Sequence, residues 1–137
     1  MANLQDLADE IRSLAASIEQ QTSDFAVHIA YESIVYLAFN TRVDTSQALS
    51  SWIVTFDEPA TERNLPHFPG VGGSTLAESG AQTVEDASNK LAEKIPGHPI
   101  FISNNWGYVA RLNEEDHYED AVMVLANSLL ADFKLKV

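Results

Sequence analysis

The feature that most limits this chain is a spacing: Leu4, Leu7, Ile11, Leu14 and Ile18 recur at intervals of three and four, and no glycine or proline occurs before Pro59. Residues three and four apart share one face of a 3.6-residue turn, so the spacing predicts an α-helix with a single apolar stripe. Continuing the count gives Gln21, Phe25, His28, Glu32, Val35 and Phe39, a mixed stripe that Ile29, Ile34, Tyr36 and Leu37 broaden. Residues 1–40 are therefore expected to form a long helix from about Leu4 to Asn40. It is either unbroken or divided between Gln20 and Asp24, where polar residues and a Ser23 or Asp24 cap cluster. Unbroken, it would span about 55 Å at about 1.5 Å per residue, longer than a compact domain of this size needs. Part of its stripe must then find an apolar partner outside its own domain.

Ser51–Phe56 is rich in aromatic and β-branched residues, with Trp52, Val54 and Phe56 alternating, which predicts a strand that Asp57-Glu58-Pro59 ends. Residues 57–75 read as a long loop. Between Pro59 and Ser74 three prolines and three glycines leave few core-forming side chains, and such a length is expected of a functional or mobile segment. A second helix is expected over about Thr83–Lys94, with a start as early as Ser74 also compatible. Val84, Ala87, Leu91 and Ile95 share its face, Thr83 with Asp86 resembles a cap, and Pro96-Gly97 ends it. Pro99–Ser103 predicts a second strand; after an Asn104-Asn105 bend, Trp106–Leu112 is a third strand or a short helical turn. Asp116 with Glu119 opens a last helix to Phe133, with Tyr118, Val122, Leu125, Leu129 and Phe133 on one face. Acidic residues lead it and Lys134 and Lys136 follow, the order a helix dipole favours. The expectation is one domain over residues 1–137 of the α+β class. A long N-terminal helix packs on a small, mostly antiparallel sheet, with a second helix and a C-terminal helix.

The charge narrows what such a domain can do. Twenty Asp and Glu against 8 Lys and Arg give a net charge of -12, so the molecule should repel phosphate backbones and anionic lipid, and a DNA or RNA reader is not expected. Neither a membrane-length apolar run nor a signal peptide is read in the sequence, and the 45% hydrophobic content is enough for one modest core. The absence of cysteine removes disulfides, cysteine-ligated zinc and thiol catalysis together. His28, His67, His98 and His117 lie in four segments without metal-binding spacing. The run Glu114–Asp120 lacks the alternation and central glycine of a calcium loop, and Gly70–Thr75 lacks both the lysine and the preceding strand of a phosphate loop. With no Gly-x-Ser-x-Gly elbow either, no catalytic, metal or cofactor site is expected.

Two stretches are more specified than core formation requires. In Asn40–Trp52, Asp44 and Thr45 can bond nearby amides and fix the turn by which helix meets sheet. In Ile100–Glu114, Asn104 and Asn105 suit positive φ or side-chain bonds to backbone. Arg111, one of the 8 basic residues, lies beside an acidic cluster, to pair within the fold or to meet a neighbouring subunit. At these stretches the chain resembles the tail-completion, or head-to-tail joining, family of neck and minor tail proteins of long-tailed bacteriophages. In that pattern a long helix runs into Thr-Pro-Val-Asp-Thr-Gly-Arg and then a tryptophan, matched here by Thr41, Val43, Asp44, Thr45 and Trp52. A second block, Ile-Tyr-Ile-Ser-Asn-Asn and then a tyrosine and Arg-Leu-Asn-Glu-Gly, is matched by Ile100, Ile102, Ser103, Asn104, Asn105, Tyr108, Arg111, Leu112, Asn113 and Glu114. The chain departs at Arg42 for proline, Ser46 for glycine, Gln47 for arginine, Gly107 for proline and Glu115 for the closing glycine.

The resemblance implies a structural virion protein without catalysis or cofactor, assembled in the host cytoplasm. It would be one subunit of a homo-oligomeric, sixfold ring between the tail tube with its terminator and the head connector. DNA would be passing cargo only, and no membrane is involved. Thr41, Val43, Asp44, Thr45, Trp52, Ser103, Asn104, Asn105, Tyr108, Arg111 and Asn113 would be its structural and interface residues. The net charge of -12 would then form a lining past which DNA moves without sticking. Two other readings compete. An acidic module mimicking DNA would need its carboxylates in phosphate-like spacing on one face, whereas they are scattered over every segment. A small α+β enzyme with a cavity would have Asp44, Tyr108 and His98 as first candidates.

Overall fold

The computed structural model describes residues 3–136. Its first element is one unbroken helix, α1 (Leu4–Asn40). Asn3 starts it with a capping box: the Asn3 side chain accepts from the Asp6 N–H at 2.9 Å and Asp6 returns a contact to the Asn3 N–H at 3.4 Å. The polar cluster that offered a break is absorbed without one. Gln20 donates to Asp24 one turn on at 2.8 Å, and Ser23 is buried and bonded by the Lys94 ammonium at 3.2 Å.

After α1 come a single turn, α2 (Gln47–Ser50), the strand β1 (Trp52–Phe56), α3 (Leu76–Leu91), β2 (Ile100–Asn104), α4 (Val109–Asp116) and α5 (Tyr118–Asp132). The class is α+β, with the sheet reduced to β1 and β2, antiparallel in the register Trp52↔Asn104 to Phe56↔Ile100. The segment left open between strand and helical turn is helical, as α4. The core forms where the second half of α1 crosses α3 and the sheet: Ala30, Ile34, Val54, Ala87 and Leu91 meet, with Val27, Trp52, Phe56, Val84, Ile100 and Ile102 around them. α5 runs antiparallel along α1, since Tyr118 reaches Arg42 at the helix end while Phe133 stacks on Phe25 with ring centroids 4.1 Å apart.

Three local expectations are corrected. α3 begins at Leu76, so Thr83 is no cap; it is a buried interior residue with its hydroxyl 3.4 Å from the Leu49 carbonyl, and Asp86 accepts from Gln82 instead. Gly80 lies inside this helix because a Cβ there would stand 2.6 Å from the Phe39 ring, so the missing side chain permits the close approach of α1 and α3. Ile95 falls beyond the helix and is 60% exposed. Asp116 closes α4 rather than opening α5; His117, at φ 55°, makes the left-handed turn between them, and the Asn113 side chain takes the Glu119 N–H at 3.1 Å in the first turn of α5.

Candidate functional site

The two specified stretches meet where β1 pairs with β2, and the contacts run on from the end of α1 to the end of α4. Thr41 donates to the Leu37 carbonyl at 2.5 Å and accepts the Trp52 indole N–H at 2.8 Å, which joins the helix end to the sheet. The Trp52 ring meets Tyr118 edge to face at 6.1 Å. The Tyr118 hydroxyl accepts the Arg42 backbone N–H at 3.2 Å and donates to Asp116 at 2.8 Å. The Arg42 guanidinium reaches Asp116 at 2.6 Å and Glu115 at 2.8 Å. Arg42 and Glu115, two of the departures from the family pattern, are thus ion-paired with each other. Arg42 makes the closest ion pairs to the acidic cluster, and Arg111 makes a longer one. Arg111 is 75% exposed and only 4.0 Å from Glu115.

Asp44 is a clamp on the long loop. Its carboxylate accepts the Gly72 N–H at 2.7 Å and its carbonyl the Gly73 N–H at 3.0 Å. Gly73 has φ +79°, and a Cβ there would stand 3.0 Å from the Val43 carbonyl, so both the backbone and the contact require glycine. Ser46 stands at φ 69°, a left-handed conformation that glycine would adopt without strain; its buried hydroxyl pairs with Thr75 at 2.7 Å. Gln47 reaches the Asn64 carbonyl, which also accepts from Ser51 at 3.1 Å, and Asn64 donates back to the Ser50 carbonyl at 2.9 Å. Ser79 holds both polar groups of the Phe68 backbone, at 3.1 and 3.2 Å. The loop expected to be functional or mobile is therefore tied to the body along its length, while Leu65 and Val71 point outward at 83% and 81% exposure.

The asparagines of the second block hold other segments. Asn104 donates to the Ala48 carbonyl at 2.8 Å and accepts the Trp106 N–H at 3.1 Å; Asn105 donates to Ala60 and Glu62 at 2.7 and 2.9 Å. Neither has positive φ, so the side-chain alternative is the one taken. Ser103 and Val43 are half-buried, and Thr45 and Tyr108 are exposed. Of the proposed residues, Thr41, Asp44, Trp52, Asn104, Asn105 and Asn113 thus join segments, and Thr45, Tyr108 and Arg111 face solvent.

α4 stands between two grooves. One, of about 500 Å³, is walled by Leu37, Trp52, Ile102, Val109 and Val122 with Glu114 and Glu119 at hand; the other, of about 460 Å³, runs from Arg42 to Ala48 under Trp106, Tyr108 and Leu112. Asp44 and Tyr108 share the second groove, but His98 lines a different one and is bonded to Asp57 at 2.9 Å. The three enzyme candidates are therefore not assembled. Among the described residues no group of three or more His, Asp or Glu converges as metal ligands, and no helix is long and apolar enough to cross a membrane.

Hydrogen bonds from Arg42, then from Tyr118, hold the Asp116 carboxyl below its ordinary value of 3.8, and the hydrogen bonds to Asp116, then to Glu115, raise the Arg42 guanidinium. Burial raises the Tyr118 hydroxyl. A carboxyl whose folded pKa lies below its unfolded one contributes stability that is complete above the unfolded value and lost as pH falls through the folded value. Arg42→Met is therefore expected to flatten the acid limb of stability below the ordinary carboxylate range. Denaturation midpoints measured at neutral pH and near the bottom of that limb check it; parallel acid losses in both proteins would refute the linkage.

Sequence reasoning missed this network and the buried hydroxyls Ser33, Ser46, Ser50, Ser51 and Ser79. The one available signal was that Arg42 and Glu115 replace two neutral residues of the pattern with opposite charges. No family model, curated protein or solved structure matches the chain.

Proposed function

We propose that this chain is a structural virion protein of a tailed phage, a ring subunit at the neck that joins the tail tube to the head connector. The observation that carries the reading is the convergence of the two family-like blocks. Asn104 of the second block bonds Ala48 of the first beside the antiparallel pairing of Trp52 with Asn104, and Thr41 with Trp52 and Asp44 with Gly72 brace the same frame at the base of a long helix. A frame of this kind supports assembly without chemistry. The projecting helix and the outward Leu65 and Val71 supply apolar surface for neighbours, and patches of that sort mark protein contacts. In a ring, the net charge of -12 would keep passing DNA from adhering to the lumen.

Sedimentation with increasing concentration, followed by mixing with tail tubes and connectors of the phage that carries it, tests the reading. Closed rings or binding to either structure is the expected result; failure of both would count decisively against it. A basic lumen in the assembled ring would overturn the DNA-passage element alone. Arg111→Ala is expected to leave a folded protein, because its ion pair is long and exposed, yet to lower the yield of joined particles. Unchanged joining would remove Arg111 from the interface.

A further inference from the structure

The first four turns of α1 carry an apolar face that nothing else in the described chain covers: Leu4, Leu7, Ile11 and Leu14 are 85%, 49%, 58% and 44% exposed. Further along, the same stripe is occupied. Phe25 stacks on Phe133, and Gln21 bonds both backbone groups of Lys136, so the end of α5 lies on α1 there. α5 keeps a second apolar face outward, with Met123, Val124 and Leu130 at 59%, 70% and 56% exposure. Asp120 stands at its start, and no charged residue occurs from Ala121 to Ala131.

We infer that these two faces are the halves of one interface between copies of the chain, the α1 arm of one copy packing on the outward face of α5 in the next. The inference rests on the ring reading in taking a second copy as the occupant; charge then selects the pairing. The arm carries Asp6, Asp9, Glu10 and Glu19 against Arg12, which is already bound to Asp9 at 3.0 Å. Two arms packed on each other through this face would bring the Glu10 carboxylates, which border it, and the overall negative charge of both arms together without compensation. α5 offers a neutral face instead, followed by the exposed Lys134 and Lys136. Running antiparallel, as α5 does on its own α1, it would bring those lysines toward the acidic start of the neighbour's arm.

Because the arm and α5 are different patches, the contact is heterologous and passes from copy to copy until rotation closes a ring. An arm of about 20 Å, at about 1.5 Å per residue, buries less than the roughly 800 Å² per partner of a standard interface. One contact alone is weak, and closure, where every copy makes two, supplies the remainder.

The chain lacks cysteine, so introduced thiols report without background. Cysteine at position 7, 11 or 14 of one copy (Leu7→Cys, Ile11→Cys, Leu14→Cys) is paired with Met123→Cys, Val124→Cys or Leu130→Cys on an isotope-labelled copy. The full-length proteins are mixed at high concentration, oxidised, and the linked dimers resolved by mass. At least one arm–α5 pair is expected to exceed both homodimers by about tenfold, equivalent to about 1.4 kcal/mol of preference. Adding Leu4→Asp to the arm is expected to abolish that excess. Ser13→Cys, exposed on the opposite face of the arm, sets the collisional background. Dominant arm–arm dimers, or no pair above that background, would overturn the inference. If either occurs while the unmodified protein still joins tails to connectors, the neck reading stands and only this interface is wrong.

Discussion

Replacing Trp52 with alanine is expected to cost about 3 kcal/mol of folding stability, near the lower end for large aromatic side chains because the ring is half-buried. Three separate contacts disappear together. The indole N–H leaves Thr41, the edge-to-face contact with Tyr118 is lost, and apolar area beside Val54 and Ile102 returns to water. Thr41 keeps its bond to Leu37, so the end of α1 should persist while its attachment to the sheet loosens. A chemical denaturation midpoint unchanged from the parent would remove Trp52 from the frame.

Tyr118→Ala is expected to be as damaging or more so, about 3 to 5 kcal/mol, because the side chain is 98% enclosed, with a relative exposure of 2%, between α1, the sheet and α4. Its hydroxyl is a separable part. Tyr118→Phe keeps the ring on Trp52 but leaves the Arg42 N–H and Asp116 without that partner, a loss of about 1 kcal/mol. The two aromatic truncations should not add. Since the rings touch, the double alanine variant is expected to fall short of the sum by about 0.5 to 1.5 kcal/mol. Strict additivity would mean that each ring is held by other neighbours and that the Trp52–Tyr118 contact does not couple the sheet to the start of α5.

The readable parts of this fold are those in which one local rule acts without competition. Leu4 to Ile18 could only be a helical stripe, and Trp52, Val54 and Phe56 could only alternate on a strand. Where two rules compete, pattern alone does not choose. Gly80 lowers helix propensity, yet α3 runs through it because the close approach of Phe39 requires the missing side chain. Asp116 has the residue type of a helix start, yet Arg42 and Tyr118 draw it into an ion-pair network at a helix end. Ser46, Ser50 and Ser79 have the composition of loops, yet they are buried because the 57–75 segment brings backbone groups of His67 and Phe68 to Ser50 and Ser79 and the Thr75 hydroxyl to Ser46.

The candidate site divides on the same line. Thr41, Asp44, Trp52, Asn104, Asn105 and Asn113 stood out in the sequence as residues with more specification than a core needs. Their actual partners, Gly72, Ala48, Ala60, Glu62 and Glu119, lie at separations no spacing rule encodes. Arg111 does pair with the acidic cluster, at Glu115, but the closer contacts to it come from Arg42. Arg111 is adjacent to that cluster in sequence, but Arg42 reaches it across space, since α5 returns antiparallel to the end of α1.

The sequence by itself determined the α+β class, the helical character of Leu4 to Asn40, the two strands and the acidity, because each follows from side-chain periodicity or from counting charges; that α1 runs unbroken past Gln20 to Asp24 was decided by the structure. Only the tertiary structure decided which faces are covered. It placed α5 on Phe25 and left Leu4 to Leu14 open, pinned the long loop through Asp44 and Asn64, and paired Arg42 with Glu115. Burial and pairing are properties of segments brought together, and a stripe reads the same in sequence whether its partner lies in the same chain or in the next.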